Sequence, residues 1–347
     1  MKTVNSALFR CDGSPEIGLG HVVRCLAIAD ELRESHGSRV GFAMRKGETG
    51  FSMVRERGYP VRTPSQGPPR FDYARWLRDA VREVEARVLV LDVRDDLSRE
   101  TVEGLRKEGL RIALLDDLDR KRLSADLAFY PPIPQVRRLG WEGFTGKLFV
   151  GWEWVALPRQ FASVPAHTSR GRTAVLVTMG GSDPAGLTLK TIAALDRLEE
   201  DFDTVVVEGR GFSLREELAA RLAGARRRFE LLRNVDDMAA LMARADLAVA
   251  SFGVTAYELA SAGVPAIHLC LTEDHAESAS EFTRAGMAVS LGVADHVTEE
   301  ALAGEVSRLL ADEATRRAMG EEGRRRVDGG GARRIAWAIA NGMEEAA

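Results

Sequence analysis

The chain has 347 residues, of which 45% are hydrophobic, and its formal net charge is −4. These values predict two globular domains with full cores and argue against a nucleic-acid-binding surface. Cys11, Cys25 and Cys270 fit no metal motif, so we expect reduced thiols in a cytoplasmic protein. No apolar run approaches the ~20 residues of a membrane span, and we expect neither membrane insertion nor a signal peptide. The oligomeric state stays open.

The first half of the chain alternates between strand patterns and helical patterns. Residues 88–91 are continuously apolar, which is typical of a parallel strand covered on both faces. The periodicity predicts strands over 7–11, 39–43, 87–91 and 111–115, and helices over 21–35, 49–57, 72–86 and 98–108. Residues 131–172 are irregular, and 161–172 are predicted as a linker because they lack periodicity.

The second half repeats this order of elements. Asp183 is the predicted N-cap of a helix, with Pro184 at the first helical position. The patterns predict strands over 175–178, 204–207, 246–250 and 265–270, and helices over 185–195 and 332–342. We therefore predict an α/β fold in which two Rossmann-like domains, 1–160 and 173–330, face each other across a cleft. Residues 331–347 form a C-terminal helix that can pack back on the first domain.

Two glycine loops give the first indication of function. Gly18 and Gly20 lie between a strand and a helix, and His21 follows directly. Glycines at such a turn let the backbone approach a ligand, and the free N–H groups of the helix start favour an anion. Gly180 and Gly181 occupy the equivalent place in the second half. A tight turn without a ligand is the alternative for either loop alone, but the pair of loops favours a binding site.

Several short motifs follow one another along the chain between residue 7 and about residue 290. They are Phe9-Arg10-x-Asp12, Ile17-Gly-x-Gly-His21-x-x-Arg24, Asp116-Asp117, Met179-Gly-Gly-Ser-Asp-Pro184 and Gly253-x-Thr255-x-x-Glu258. With these motifs the chain resembles the UDP-sugar hydrolases of the pseudaminic acid pathway and the related spore-coat polysaccharide biosynthesis proteins. A wider resemblance extends to the N-acetylglucosamine transferase of peptidoglycan synthesis.

The resemblance implies the glycosyltransferase-B fold, with a nucleotide-sugar site in the cleft and the nucleotide mostly on the C-terminal domain. It also implies that the histidine of the first glycine loop, here His21, activates water at the anomeric carbon of the sugar. Hydrolysis of a UDP-linked sugar in surface polysaccharide or nonulosonic acid synthesis, with release of UDP, is therefore the leading prediction. Two alternatives stay open: glycosyl transfer to an acceptor hydroxyl, and nucleotide-sugar binding without catalysis.

The candidate catalytic residues are His21 and Asp12. Imidazole titrates near neutral pH and suits a general base, while Asp12 either orients His21 or caps the loop backbone. Glu258 is expected to bind the ribose hydroxyls, unless it is only a favourable charge near a helix start. The other candidate substrate-binding residues are Gly18, Gly20, Arg24, Asp92, Arg94, Gly180, Gly181, Ser182, Ser251, Gly253, Thr255, Asp274, His275 and Ser278.

Two further features concern the substrate and metals. The hydrolases tend to have Asp-x-Tyr where this chain has Asp92-Val93-Arg94, which suggests an acidic sugar or acceptor. Asp117-x-Asp119 matches a short metal-binding pattern of a different glycosyltransferase fold. We nevertheless expect no metal and no other cofactor, because loop amides and helix dipoles can stabilise the departing diphosphate.

Overall fold

The computed structural model describes residues 6–14, 17–45, 47–65, 71–165, 167 and 171–341. The chain forms two compact units. Unit 1 comprises Met1–Ser14, His21–Pro158 and Gly330–Ala347, and unit 2 comprises Pro15–Gly20 and Arg159–Gly329. Across the described ranges, no helix has both the length and the apolar character that crossing a membrane requires.

Unit 1 is built on one seven-stranded parallel sheet. Its strands are β1 (Ser6–Cys11), β2 (Arg39–Ala43), β3 (Val61–Arg62), β4 (Val88–Asp92), β5 (Arg111–Leu115), β6 (Leu127–Tyr130) and β7 (Lys147–Val150). Their spatial order is β3-β2-β1-β4-β5-β6-β7. The helices are α1 (Gly20–His36), α2 (Glu48–Glu56), α3 (Tyr73–Val84) and α4 (Arg99–Lys107), with 3-10 turns at Arg120–Ser124, Pro134–Arg138 and Trp152–Trp154.

Unit 2 contains a six-stranded parallel sheet. Its strands are β8 (Ala174–Thr178), β9 (Asp203–Glu208), β10 (Glu230–Arg233), β11 (Leu247–Ser251), β12 (Ala266–Cys270) and β13 (Ala288–Val293). They are arranged as β10-β9-β8-β11-β12-β13. The helices are α5 (Leu187–Asp196), α6 (Arg215–Ala223), α7 (Met238–Met242), α8 (Val254–Ala262), α9 (Glu273–Arg284), α10 (Glu299–Ala311) and α11 (Glu313–Arg326).

The last helix, α12 (Gly331–Asn341), packs in unit 1. Successive side chains of a strand point to opposite faces, so β1 supports two cores. Phe9 packs on one face with α1 and with Ile335 and Ile339 of α12. Leu8 packs on the other face with Leu77 of α3 and Val102 of α4. Because both faces are covered, the strands can be continuously apolar.

The predicted α/β class with two parallel sheets is confirmed, and the predicted strands and helices lie within two residues of the observed ones. The sequence patterns did not predict five further strands, β3, β6, β7, β10 and β13. Strand β7 shows why: it lies at the edge of its sheet, and its side chains alternate between half-buried and exposed. Leu148 and Val150 are each 40% exposed, so no buried apolar run marked this strand.

The predicted linker is wrong at its start. Phe161 lies in a 3-10 helix, Arg159–Ser163, and is only 2% exposed. Its carbonyl oxygen accepts a hydrogen bond from Ser261 Oγ at 2.9 Å. Residues 166 and 168–170 of the predicted linker lie outside the described residues.

The predicted position of Pro184 at the start of α5 is also wrong. The helix begins at Leu187, so Pro184 does not occupy its first position. Asp183 nevertheless caps the helix from four residues away, because its carboxylate accepts the N–H groups of Leu187 and Thr188, both at 2.8 Å.

Candidate active site

His21 and Asp92 form the central pair of the candidate site in unit 1. His21 is the second residue of α1, and Asp92 is the last residue of β4, which is the neighbour of β1 in the sheet. These elements bring His21 Nδ1 to 2.6 Å from Asp92 Oδ1. The His21 side chain is 21% exposed, whereas that of Asp92 is 1% exposed. The imidazole is thus held at one nitrogen while the ring still reaches solvent.

Arg24 and Cys25 complete the surroundings of Asp92. Arg24 donates from Nε to Oδ2 and from Nη2 to Oδ1, both at 2.5 Å. Burial raises the pKa of Asp92, but Arg24 and His21 outweigh burial and hold this pKa well below its ordinary value. Burial also raises the pKa of the Cys25 thiol. This thiol donates a hydrogen bond to Asp92 Oδ2, with 3.5 Å between Sγ and the oxygen. Asp92 is therefore ionised despite being buried.

The ionised carboxylate sets the tautomer of His21. A carboxylate without a proton can only accept hydrogen bonds, so the bond to Asp92 assigns the imidazole proton to Nδ1. In a neutral imidazole with this tautomer, the free lone pair lies on Nε2. In this tautomer His21 can accept a proton from a hydroxyl that approaches Nε2.

The carboxylate bonded to His21 is that of Asp92, and not that of Asp12 as one interpretation of the sequence predicted. Asp12 accepts hydrogen bonds from Arg10 Nη2 at 2.7 Å and from the backbone N–H of Arg45 at 2.6 Å. Its contacts therefore fix the backbone that follows β2. The sequence signal for Asp92 was its position directly after the apolar run of β4, but only the sheet order places that position beside β1.

Asp116 and Arg94 extend the charged cluster. Asp116 follows β5 and has a backbone φ of 47°, in the left-handed region that non-glycine residues seldom adopt. Its Oδ2 accepts a hydrogen bond from Arg24 Nη1 at 3.1 Å, and Arg94 Nη2 lies 3.6 Å from the same oxygen. The Arg94 side chain is 53% exposed.

Asp117 and Asp119 share the ammonium group of Lys121. Lys121 Nζ lies 2.9 Å from Asp117 Oδ2 and 2.9 Å from Asp119 Oδ2. Burial raises the pKa of Asp117, although the positive charge of Lys121 acts to lower it. Among the residues that the structure describes, no cluster of three or more His, Cys, Asp or Glu side chains could hold a metal ion.

The first glycine loop has two positions where a side chain would be strained or crowded. Gly18 has a backbone φ of 79°. A Cβ on Gly20 would lie 3.1 Å from Val254 Cγ2, and a Cβ on Gly181 would lie 2.9 Å from the side chain of Leu19. These residues all belong to unit 2, so the two glycine loops are packed closely within that unit.

The second glycine loop meets the start of α8 at the carboxyl ends of β8 and β11. Gly180 has a backbone φ of 73°, and a Cβ there would lie 3.8 Å from Ser251 Oγ and 3.9 Å from Thr255 Oγ1. Ser182 is buried in the same loop. Backbone amides and hydroxyl groups from two loops therefore meet at one edge of the sheet.

Glu258 lies in the second turn of α8, which begins after Gly253. Its side chain is half-buried. Burial raises the pKa of Glu258 to about 7, although a hydrogen bond with Thr255 acts in the opposite direction. Near neutral pH this carboxyl group is divided between its protonated and ionised forms.

Asp274, His275 and Ser278 all lie in the first half of α9. The helix is capped by Thr272, whose hydroxyl accepts the N–H of His275 at 3.2 Å. Ser278 Oγ donates to the carbonyl oxygen of Asp274 at 2.9 Å. The hydroxyl of Ser278 is therefore engaged by its own helix.

His268 is a buried residue of β12 and was not among the candidate residues predicted from the sequence. It is 0% exposed, and neither ring nitrogen has a hydrogen-bond partner among the described residues. Its ring packs edge-on against Phe252 and Phe282, with centroid distances of 5.5 and 5.4 Å. Burial lowers the pKa of His268 to about 3, so the imidazole is neutral in the folded protein.

Comparison with known proteins places the chain in a structural class. No family model matches the chain. MurG of Acinetobacter baumannii superposes with a TM-score of 0.72 at 16% identity, over 97% of this chain and 99% of MurG. The protein therefore has the glycosyltransferase-B fold.

Two relatives match nearly the whole chain. It is 25% identical over 342 residues to the spore coat polysaccharide biosynthesis protein SpsG of Bacillus subtilis, covering 96% of this chain and 97% of SpsG. It is 29% identical over 340 residues to the UDP-N-acetylglucosamine--N-acetylmuramyl-(pentapeptide) pyrophosphoryl-undecaprenol N-acetylglucosamine transferase of Acidithiobacillus ferrooxidans, covering 92% and 94%. The predicted resemblance to the spore-coat polysaccharide biosynthesis proteins is thus confirmed.

The buried imidazole predicts a specific loss of stability in acid. Unfolded His268 binds a proton below its ordinary pKa of 6.5, whereas the folded form stays neutral down to about pH 3. The free energy of unfolding therefore falls as the pH drops through this window, by at most ~1.4 kcal/mol per pH unit. His268→Leu should remove this part of the pH slope in urea unfolding between pH 7.5 and 5, whereas His296→Leu, at an exposed site, should not. An unchanged slope in His268→Leu would show that His268 is not neutral when folded.

Proposed function

We propose that this protein is an enzyme that transfers a sugar from a UDP-sugar to an acceptor hydroxyl in polysaccharide synthesis. The observation that carries the proposal is the His21–Asp92 pair, in which Nδ1 and Oδ1 lie 2.6 Å apart and Arg24 holds the carboxylate. The relative from A. ferrooxidans is named as a transferase, and SpsG is named as a polysaccharide biosynthesis protein. The first name supports sugar transfer, and the second supports a role in polysaccharide synthesis.

In the proposed reaction His21 is the general base. The acceptor hydroxyl gives its proton to Nε2 while its oxygen forms a bond to the anomeric carbon of the sugar. The bond between that carbon and the diphosphate breaks, and its electron pair leaves with UDP. The imidazolium that results keeps its hydrogen bond to Asp92, whose negative charge stabilises it.

We propose that unit 2 binds the nucleotide. Backbone N–H groups at Gly180 and Gly181 and the hydroxyl of Ser182 suit the oxygens of a diphosphate. Ser251 and Thr255 place two more hydroxyls beside Gly180. Glu258 is assigned to the ribose hydroxyls, and Asp274, His275 and Ser278 to the sugar or phosphates, by the resemblance stated above.

Hydrolysis of the same UDP-sugar, the leading prediction from the sequence, is the second candidate. It uses the same base with water as the acceptor, and the Gly18-x-Gly20-His21 loop is the feature that favours it. The names of the relatives support transfer better than hydrolysis. A binding protein without catalysis would show no turnover dependent on His21.

Replacing the base should abolish most of the turnover. We expect His21→Asn to lower the rate of UDP release by ~10²-fold or more, because a positioned general base contributes on this scale. UDP affinity should stay within about twofold, since the nucleotide is assigned to unit 2. His36→Asn, at the other end of α1, is the matched control and should behave as wild type. Near-normal turnover of His21→Asn would exclude His21 as the base.

The products separate transfer from hydrolysis. Purified protein is incubated with a panel of UDP-sugars, with and without candidate acceptors, and the products are identified by mass spectrometry. Transfer predicts UDP release that depends on the acceptor, with the acceptor gaining the mass of one glycosyl residue. Free sugar formed at the same rate without any acceptor would instead establish hydrolysis.

Activity should survive the removal of metal ions by EDTA. Loss of activity in EDTA, followed by its restoration with magnesium or manganese, would contradict the metal-free reaction.

Glu258 should couple UDP binding to pH. Two hydroxyls donating to a carboxylate are worth ~2–3 kcal/mol, so Glu258→Ala should weaken UDP binding by about 30- to 150-fold at pH 8. Only the ionised carboxyl group accepts both hydroxyls well, and the pKa of Glu258 is about 7. UDP affinity should therefore rise by about tenfold between pH 6 and pH 8.

Titration calorimetry with UDP at pH 6, 7 and 8 measures this coupling. Glu258→Gln is the control, because it keeps the shape of the side chain and retains any titration of the UDP phosphate itself. The contribution of Glu258 is the difference in pH slope between wild type and Glu258→Gln. Equal slopes, or unchanged affinity in a folded Glu258→Ala, would place the ribose elsewhere.

A further inference from the structure

Arg94 is a charged side chain that the reaction above leaves without a role. It follows Asp92 by two residues, in the loop after β4, and its side chain is 53% exposed. Within the described part of the chain, its guanidinium forms one long ion pair, with 3.6 Å between Nη2 and Asp116 Oδ2. The same oxygen already accepts a hydrogen bond from Arg24 at 3.1 Å. Most donors of Arg94 are therefore available to a ligand.

Neighbouring arginines of unit 1 differ in this respect. Arg24 donates to Asp92 and Asp116, and Arg10 donates to Asp12 and Asp95. Arg45 Nη1 contacts Asp95 at 3.3 Å and also bonds to Asp96, and its guanidinium lies over the rings of Phe71 and Tyr73. These three guanidinium groups are engaged by the protein's own carboxylates, which sets Arg94 apart from them.

The backbone that carries Arg94 is fixed on both sides. Asp92 precedes it within the buried cluster of His21 and Arg24. Asp95 follows it, and its Oδ2 accepts Arg10 Nη2 at 2.7 Å, Tyr73 Oη at 2.9 Å and Arg45 Nη1 at 3.3 Å. Asp95 Oδ1 accepts the backbone N–H of Leu97 at 3.1 Å. The backbone that carries Arg94 is thus anchored on both sides, which lowers the backbone part of the entropy cost when Arg94 binds a ligand.

We propose that Arg94 determines substrate specificity by binding a carboxylate on the sugar of the UDP-sugar, an inference that rests on the function proposed above. A guanidinium presents a planar fork of donors that matches a carboxylate with two parallel hydrogen bonds. A sugar that covers Arg94 also removes it from water, which is costly unless an anion compensates the charge. Asp116 cannot fully supply that charge, because it is shared with Arg24.

The test compares two donors that differ at one carbon. UDP-glucose and UDP-glucuronic acid share the same nucleotide and ring, but only the second carries a carboxylate at C6. Affinities of both, and of UDP alone, are measured by calorimetry for wild type, Arg94→Gln and Arg55→Gln. Arg55 is the matched control, since it is 56% exposed, its ion pair to Glu48 is 3.8 Å long, and its loss changes the net charge equally.

We expect wild type and Arg55→Gln to bind UDP-glucuronic acid about tenfold more tightly than UDP-glucose. Arg94→Gln should bind the two donors with equal affinity. Its affinity for UDP alone should be unchanged, which would show that the variant is folded. Equal binding of the two donors by wild type would overturn the proposed role of Arg94 but not the proposed function. A preference for UDP-glucuronic acid that persists in Arg94→Gln would have the same meaning. Wild type that fails to bind UDP at all would instead overturn the proposed function.

Discussion

The candidate site of unit 1 depends on one buried negative charge, that of Asp92. A carboxylate with a side chain only 1% exposed is costly unless it is paired and fully hydrogen-bonded. Arg24 supplies two bonds and His21 a third, and the thiol of Cys25 lies at the remaining side. Because the same bonds that keep Asp92 ionised also orient His21, the stability of this cluster and the orientation of the proposed base have one common cause.

The two units offer different chemistry at the carboxyl ends of their strands. In unit 1 these ends carry charged side chains, such as Asp92 at the end of β4 and Asp116 after β5. In unit 2 the ends of β8 and β11 present glycine backbone and the hydroxyls of Ser251 and Thr255. Charged groups suit proton transfer, whereas neutral amides and hydroxyls suit phosphate oxygens. This contrast supports assigning the base to one unit and the nucleotide to the other.

Features carried by local sequence were predictable, and features that depend on sheet order were not. The apolar run of β4 and the place of His21 after two glycines are visible in the sequence. The pairing of His21 with Asp92 is not, because it requires β4 to lie beside β1 although 76 residues separate Cys11 from the start of β4 at Val88. His268 could not be recognised either, since a histidine in a strand gives no sign that both of its nitrogens lack a hydrogen-bond partner in the described part of the chain.

The proposed base, His21, does not by itself define the reaction. Asp92 and Arg24 act on the Nδ1 side of His21, so they prepare Nε2 equally well for water or for a sugar hydroxyl. The choice must therefore come from residues that contact the sugar and the acceptor. The loop after β4 is suited to this role, because Asp92 and Asp95 anchor it on either side of Arg94. Under the proposed function, a substitution of Arg94 would change the contact with the sugar, while Asp92 would keep its hydrogen bonds to His21 and Arg24.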